Sequence, residues 1–235
     1  MLYKKNTEKA LSAKLFENPT SEYRATPFWS WNCKLSEDLL RRQIGYLQEM
    51  GFGGFHMHSR VGMSSEYLGE EFMANVCACV DEAEKRNMLA WLYDEDKWPS
   101  GFAGGYVTKI PKYRQRFVAF APAGGDVPAF LPMEEAIEKG EAYYITSYDI
   151  VLNADGTLQS YTQIAADAKA QGDKWVVYCA VPAKRGWHNG YTYADLFNQE
   201  AVDKFIEITY EAYKKDVGDK FGGSVPAIFT DEPQF

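Results

Sequence analysis

Histidine and cysteine are scarce in this chain, three and four among 235 residues, and neither falls into a zinc or disulfide spacing. Cys77 and Cys79 stand two apart in a predicted helix and so point to different sides, while Cys33 and Cys179 are isolated. A reduced, cytoplasmic chain is the expectation. There is no lysine–arginine run and the net charge is -8, which argues against a nucleic-acid partner. No apolar run reaches membrane-span length and the N-terminus has no apolar signal-peptide core, so no membrane partner is expected. No Gly-x-Gly-x-x-Gly follows the first predicted strand, which weighs against a dinucleotide cofactor.

What is present is an ordinary globular composition, 46% hydrophobic and 25% charged, long enough for one large core or two small ones. Aromatic residues abound: 16 Tyr, 14 Phe and 6 Trp supply core, and rings outside the apolar runs suit a sugar site, where they cover the apolar face of a pyranose. Residues 1–25 read as a polar extension with a helical turn or two from Lys9 to Phe16, broken by Asn18-Pro19. From residue 26 to 110 strands alternate with helices. Residues 26–32 form a strand, and Ser36 caps a helix with Glu37 and Asp38 in its first turn. Leu39, Leu40, Ile44, Leu47 and Met50 recur at helical spacing, and Gly51 ends that helix. A strand from Phe52 to His58, a helix near 70–86 and a strand from Met88 to Tyr93 follow. This alternation predicts a parallel sheet. Residues 111–185 change character: four β-rich runs, two of them joined by Asn153-Ala154-Asp155-Gly156, read as an insertion or a separate antiparallel domain. Residues 186–235 return to a helix and a last strand, Val225 to Phe229.

The strand ends carry the chemistry. Trp29 and Trp31 share one side of the first strand and fit a sugar wall or a core cluster. His56, His58 and Arg60 end the second; they suit hydrogen bonds to hydroxyls or a carboxylate better than a metal, since no third ligand is fixed. Asp94, Glu95 and Asp96 end the third. Three consecutive carboxylates repel one another and are rarely set at a buried strand end for stability. They can bind sugar hydroxyls, hold a calcium ion or raise each other's pKa; no other cofactor is expected. Trp98 follows as part of the aromatic platform. Asp231 and Glu232 end the fourth, with Pro233 stopping the strand, and a neighbouring carboxylate helps keep a general acid protonated.

As a set, Pro27–Asn32, Gly51–Arg60, Trp91–Gly105, Tyr193–Asn198 (which includes Asp195) and Phe229–Pro233 resemble bacterial (β/α)₈ glycoside hydrolases grouped with the α-L-rhamnosidases of glycoside hydrolase family 106. The resemblance implies a TIM-barrel-type α/β fold and an oligosaccharide or glycoside substrate. It makes Glu232 the general acid and sets His56, His58, Arg60, Asp94, Glu95 and Asp96 around the sugar. A barrel needs eight strands and chemistry at their C-terminal ends. Four are predicted here, so the expectation is the first half of a barrel, prone to self-association through its open edges. A non-catalytic carbohydrate-binding module and a metal-dependent hydrolase are the competing readings.

Overall fold

The computed structural model describes residue 10 and residues 12–235; Lys9, the expected start of the first helix, lies outside them. Along the chain run α1 (Ala13–Glu17), β1 (Phe28–Trp31), α2 (Glu37–Glu49), β2 (Gly54–Ser59), α3 (Glu70–Lys85) and β3 (Leu89–Tyr93). There follow β4 (Phe117–Pro122), α4 (Met133–Lys139), β5 (Tyr143–Leu152), β6 (Leu158–Ile164), β7 (Asp173–Ala180), α5 (Gln199–Val217) and β8 (Ile228–Phe229). Two compact units result, one from the chain up to Gly104 together with Val202–Phe235, the other from Gly105–Ala201.

The first unit is a parallel sheet in the order β1-β2-β3-β8. Each strand lies beside the one before it, which is the winding of consecutive β-α repeats rather than of a sheet that reverses direction midway. The sheet is open: β1 and β8 each pair with one neighbour, so the expected barrel is not closed. Ser36 occupies the N-cap of α2 but its side chain makes no capping bond; its carbonyl accepts from Leu40 instead. Gly51 follows α2 with φ 91°, a left-handed turn that suits glycine. Leu40 and Ile44 of α2, and Phe72, Val76, Val80 and Ala83 of α3, are buried.

The sheet has two unlike faces. Trp29, Trp31 and Phe55 face the helices: the Trp31 ring meets Phe72 at 5.6 Å, and the Trp29 indole donates to Gln43 on α2. The opposite face carries Phe28, His56, His58, Trp91, Tyr93 and Phe229 as one aromatic cluster. β2 fits tightly against β3 at its start. A Cβ on Gly54 would lie 2.3 Å from the Leu89 carbonyl oxygen, a backbone atom that cannot step aside. Gly54→Ala is therefore expected to cost about 2–3 kcal/mol through overpacking, read as a lower midpoint in urea unfolding.

The second unit is an antiparallel sheet in the order β4-β7-β5-β6. Ala142, Val176 and Tyr178 form its core, with Ala119, Ala121, Phe130 and Tyr144 packed against them. The β5–β6 hairpin turns at Asn153–Gly156, where Gly156 has φ 81° and its N–H reaches the Asn153 carbonyl. α4 was not expected; it opens with Glu134 and Glu135, and Gly140 closes it at φ 68°. No helix among the described residues is long and apolar enough to cross a membrane.

Candidate active site at the ends of β3 and β8

Glu95 is fully buried, and its two oxygens accept five backbone N–H groups. Oε1 takes those of Asp96 (2.8 Å) and Gly104 (2.5 Å); Oε2 takes those of Gly101 (3.1 Å), Phe102 (3.0 Å) and Ala103 (2.7 Å). Positive φ at Gly101, Ala103 and Gly104 shapes the loop around it. Burial pushes the carboxyl up, to about 8, against the pull of those N–H groups. Both oxygens serve the loop.

Asp94 is likewise buried, and its acceptors are filled by the protein's own hydroxyls. Ser100 Oγ donates at 2.6 Å to Oδ1; Thr230 Oγ1 and Tyr210 Oη donate at 2.6 and 2.8 Å to Oδ2. Burial raises its pKa and the three hydroxyl bonds oppose the rise. Asp94 thus ties together β3, its loop, α5 and the end of β8. Its three side-chain partners are hydroxyls of the protein itself, from Ser, Thr and Tyr. Tyr213 on α5 adds a further tie, donating to the Tyr93 carbonyl at 2.8 Å.

The end of β8 faces the aromatic cluster. Asp231 Oδ2 lies 3.4 Å from Tyr93 Oη and 3.7 Å from His58 Nε2. His58 stacks on Tyr93 with centroids 3.9 Å apart. Burial first, and Arg60 second, lower the His58 pKa, so near neutrality the His58–Asp231 contact is between a neutral imidazole and the carboxyl group. His56 is half-buried, stacked on Trp91 at 5.1 Å, its pKa lowered by burial. Arg60 is exposed just past β2, its N–H on the Trp31 carbonyl.

Glu232 is exposed and takes φ 44°, a left-handed conformation uncommon for a side chain with a Cβ. Trp98 Nε1 donates to its Oε2 at 3.0 Å. Asp96 is nearly buried, with Lys97 Nζ at 4.0 Å. Among the described residues, no group of three or more His, Cys, Asp or Glu is placed to hold a metal.

The structure therefore brings together His56, His58, Asp94, Trp98, Asp231 and Glu232. It sets Trp29 and Trp31 on the helix side of the sheet, where Trp31, 1% exposed, is a core residue. Asp195 belongs to the second unit, where its carboxylate accepts the Phe197 N–H within a turn and its own N–H reaches the Tyr113 carbonyl. Sequence reasoning did not single out Ser100, Tyr210, Thr230, Phe28, Trp91 or Tyr93. Phe28 and Trp91 carried a usable signal, because each pairs in register with His56 across the parallel ladder.

No family model matches the chain, and no curated protein matches it. Among solved structures, a rhamnosidase from Novosphingobium sp. PP1Y is weakly similar: the TM-score is 0.38 and the identity 15%, over 63% of this chain. The match spans 17% of the rhamnosidase chain.

Proposed function

We propose that the first unit is part of a glycoside hydrolase catalytic domain, its four strands being half of a (β/α)₈ barrel, with Glu232 as general acid. The observation that carries this reading is the arrangement at the end of β8. Glu232, just past the strand, takes a left-handed conformation and is gripped by Trp98, beside Asp231 and a cluster of His and aromatic rings. Parallel strands of this winding present chemistry at their C-terminal ends, and glycoside cleavage needs a carboxylic acid at the leaving oxygen. The Trp98 indole holds Oε2, leaving Oε1 to carry the proton. Asp231 and His58 bind sugar hydroxyls, and Phe28 and Phe229, rather than Trp29 and Trp31, offer rings to the sugar's apolar face. The substrate is an oligosaccharide or glycoside.

The test is release of 4-nitrophenol from a panel of 4-nitrophenyl glycosides by the protein that carries this chain. Turnover of one member is expected; none across a panel covering the common pyranosides, with glycan binding retained, favours a binding module. On the substrate turned over, Trp98→Phe should lower kcat/KM by about 2- to 10-fold, matching loss of a hydrogen bond of about 0.5–1.5 kcal/mol to the protonated carboxyl.

A further inference from the structure

We infer that Ser100, buried at 1% exposure, is the positioning residue for the Asp231–Glu232 pair. The inference rests on the proposed glycosidase reading. The β3–β8 ladder runs through Asp94 N–H to the Phe229 carbonyl. Beyond that point the strands part, and Ser100 resumes the pairing from the loop. Its N–H donates to the Asp231 carbonyl at 2.9 Å, and its Oγ accepts the Asp231 N–H at 2.9 Å. The hydroxyl stands where a strand would offer a carbonyl. Its proton goes to Asp94 Oδ1 at 2.6 Å, so its lone pairs are turned toward Asp231.

Both backbone groups of Asp231 are thereby clamped by one residue. The next residue is Glu232, held at φ 44°. A left-handed conformation of this kind persists only where its surroundings over-determine it. Here Ser100 fixes the peptide before Glu232, and Trp98, two residues from Ser100 in the same loop, fixes its carboxylate. The loop after β3 thus aims the acid at the end of β8. Losing the Oγ leaves the Asp231 N–H without its acceptor and loosens the Thr230–Asp231 peptide, so that Asp231, and Glu232 after it, hang on the single bond from the Ser100 N–H to the Asp231 carbonyl. A displacement of about 1 Å in an acid costs on the order of 100-fold in rate.

The experiment compares Ser100→Ala, Ser100→Thr and Glu232→Gln in the protein that carries this chain, on the 4-nitrophenyl glycoside it hydrolyses. Ser100→Ala is expected to lower kcat about 10- to 100-fold with KM within about twofold. Ser100→Thr, which keeps the hydroxyl, should restore most of the rate. Should Ser100→Ala not fold, Ser100→Cys, nearly isosteric but a weak donor and acceptor, takes its place with the same expected split. An unchanged kcat in the folded variant, while Glu232→Gln is inactive, overturns the role of Ser100 and leaves the glycosidase reading standing. Full activity of Glu232→Gln removes that reading first, and the role of Ser100 with it.

Discussion

Glu95→Gln is expected to lower the stability of the first unit by about 3–5 kcal/mol, through backbone N–H groups left buried without acceptors. A carboxylate presents two acceptor oxygens to the five donors, and a protonated carboxyl still has two oxygens with one proton to place; a glutamine presents one oxygen and two amide protons. If its amide nitrogen takes the place of Oε2, it confronts the N–H groups of Gly101, Phe102 and Ala103; in the place of Oε1 it confronts those of Asp96 and Gly104. Either way at least two buried donors lose their acceptor, at about 1–3 kcal/mol each. The loop that carries Trp98 and Ser100 goes with them. A pH dependence accompanies this. With its folded pKa raised from the ordinary 4.5 to about 8, Glu95 keeps its proton where the unfolded chain has released it. Its contribution is complete below about 4.5 and is lost as pH rises through 8. The melting temperature of the wild type should fall across that window, and the Gln variant, which cannot titrate there, should show a flatter profile. Calorimetry at pH 5 and pH 8 checks both. Equal stability of the two proteins at pH 5 would mean that Glu95 does not organise the loop.

Glu232→Gln is expected to reduce kcat by about 10²- to 10⁴-fold, the contribution of a positioned general acid, with KM little changed. The substitution keeps the side chain's length and an oxygen for the Trp98 indole to meet, so binding and fold survive while the transferable proton is lost. Because Glu232 is exposed, the same change should leave thermal stability within about 0.5 kcal/mol of the wild type. Activity and stability are thus expected to separate at Glu232 and to fall together at Glu95.

That contrast marks what was legible in the sequence. The alternation of helix and strand was plain from the periods of Leu40, Ile44, Phe72, Val76 and Val80, and from short apolar runs between them. The β-rich segments of the second unit were marked by β-branched and aromatic runs and by Asn153–Gly156. Period-two alternation set Trp29 with Trp31 and His56 with His58 on common sides. It did not say which side meets the helices, because both faces of this sheet are rich in rings. The carboxylate run 94–96 stood out as costly, yet nothing in three adjacent acids tells which is swallowed by the loop. That is decided by Gly101, Ala103 and Gly104, whose backbone geometry turns N–H groups inward onto Glu95. Hydroxyls such as Ser100, Tyr210 and Thr230 gave no pattern at all, being 110 and 20 residues apart in sequence and joined only through Asp94.

The acid role of Glu232 is tested most directly by leaving-group dependence. Wild type and Glu232→Gln, in the protein that carries this chain, are compared on a 4-nitrophenyl glycoside and on the 2,4-dinitrophenyl glycoside of the same sugar. The dinitrophenolate departs without protonation; the poorer leaving group needs more help. The variant should therefore stay close to the wild-type rate of bond cleavage on the dinitrophenyl substrate and fall far below it on the other. An equal loss on both would contradict the assignment of Glu232 as the proton donor.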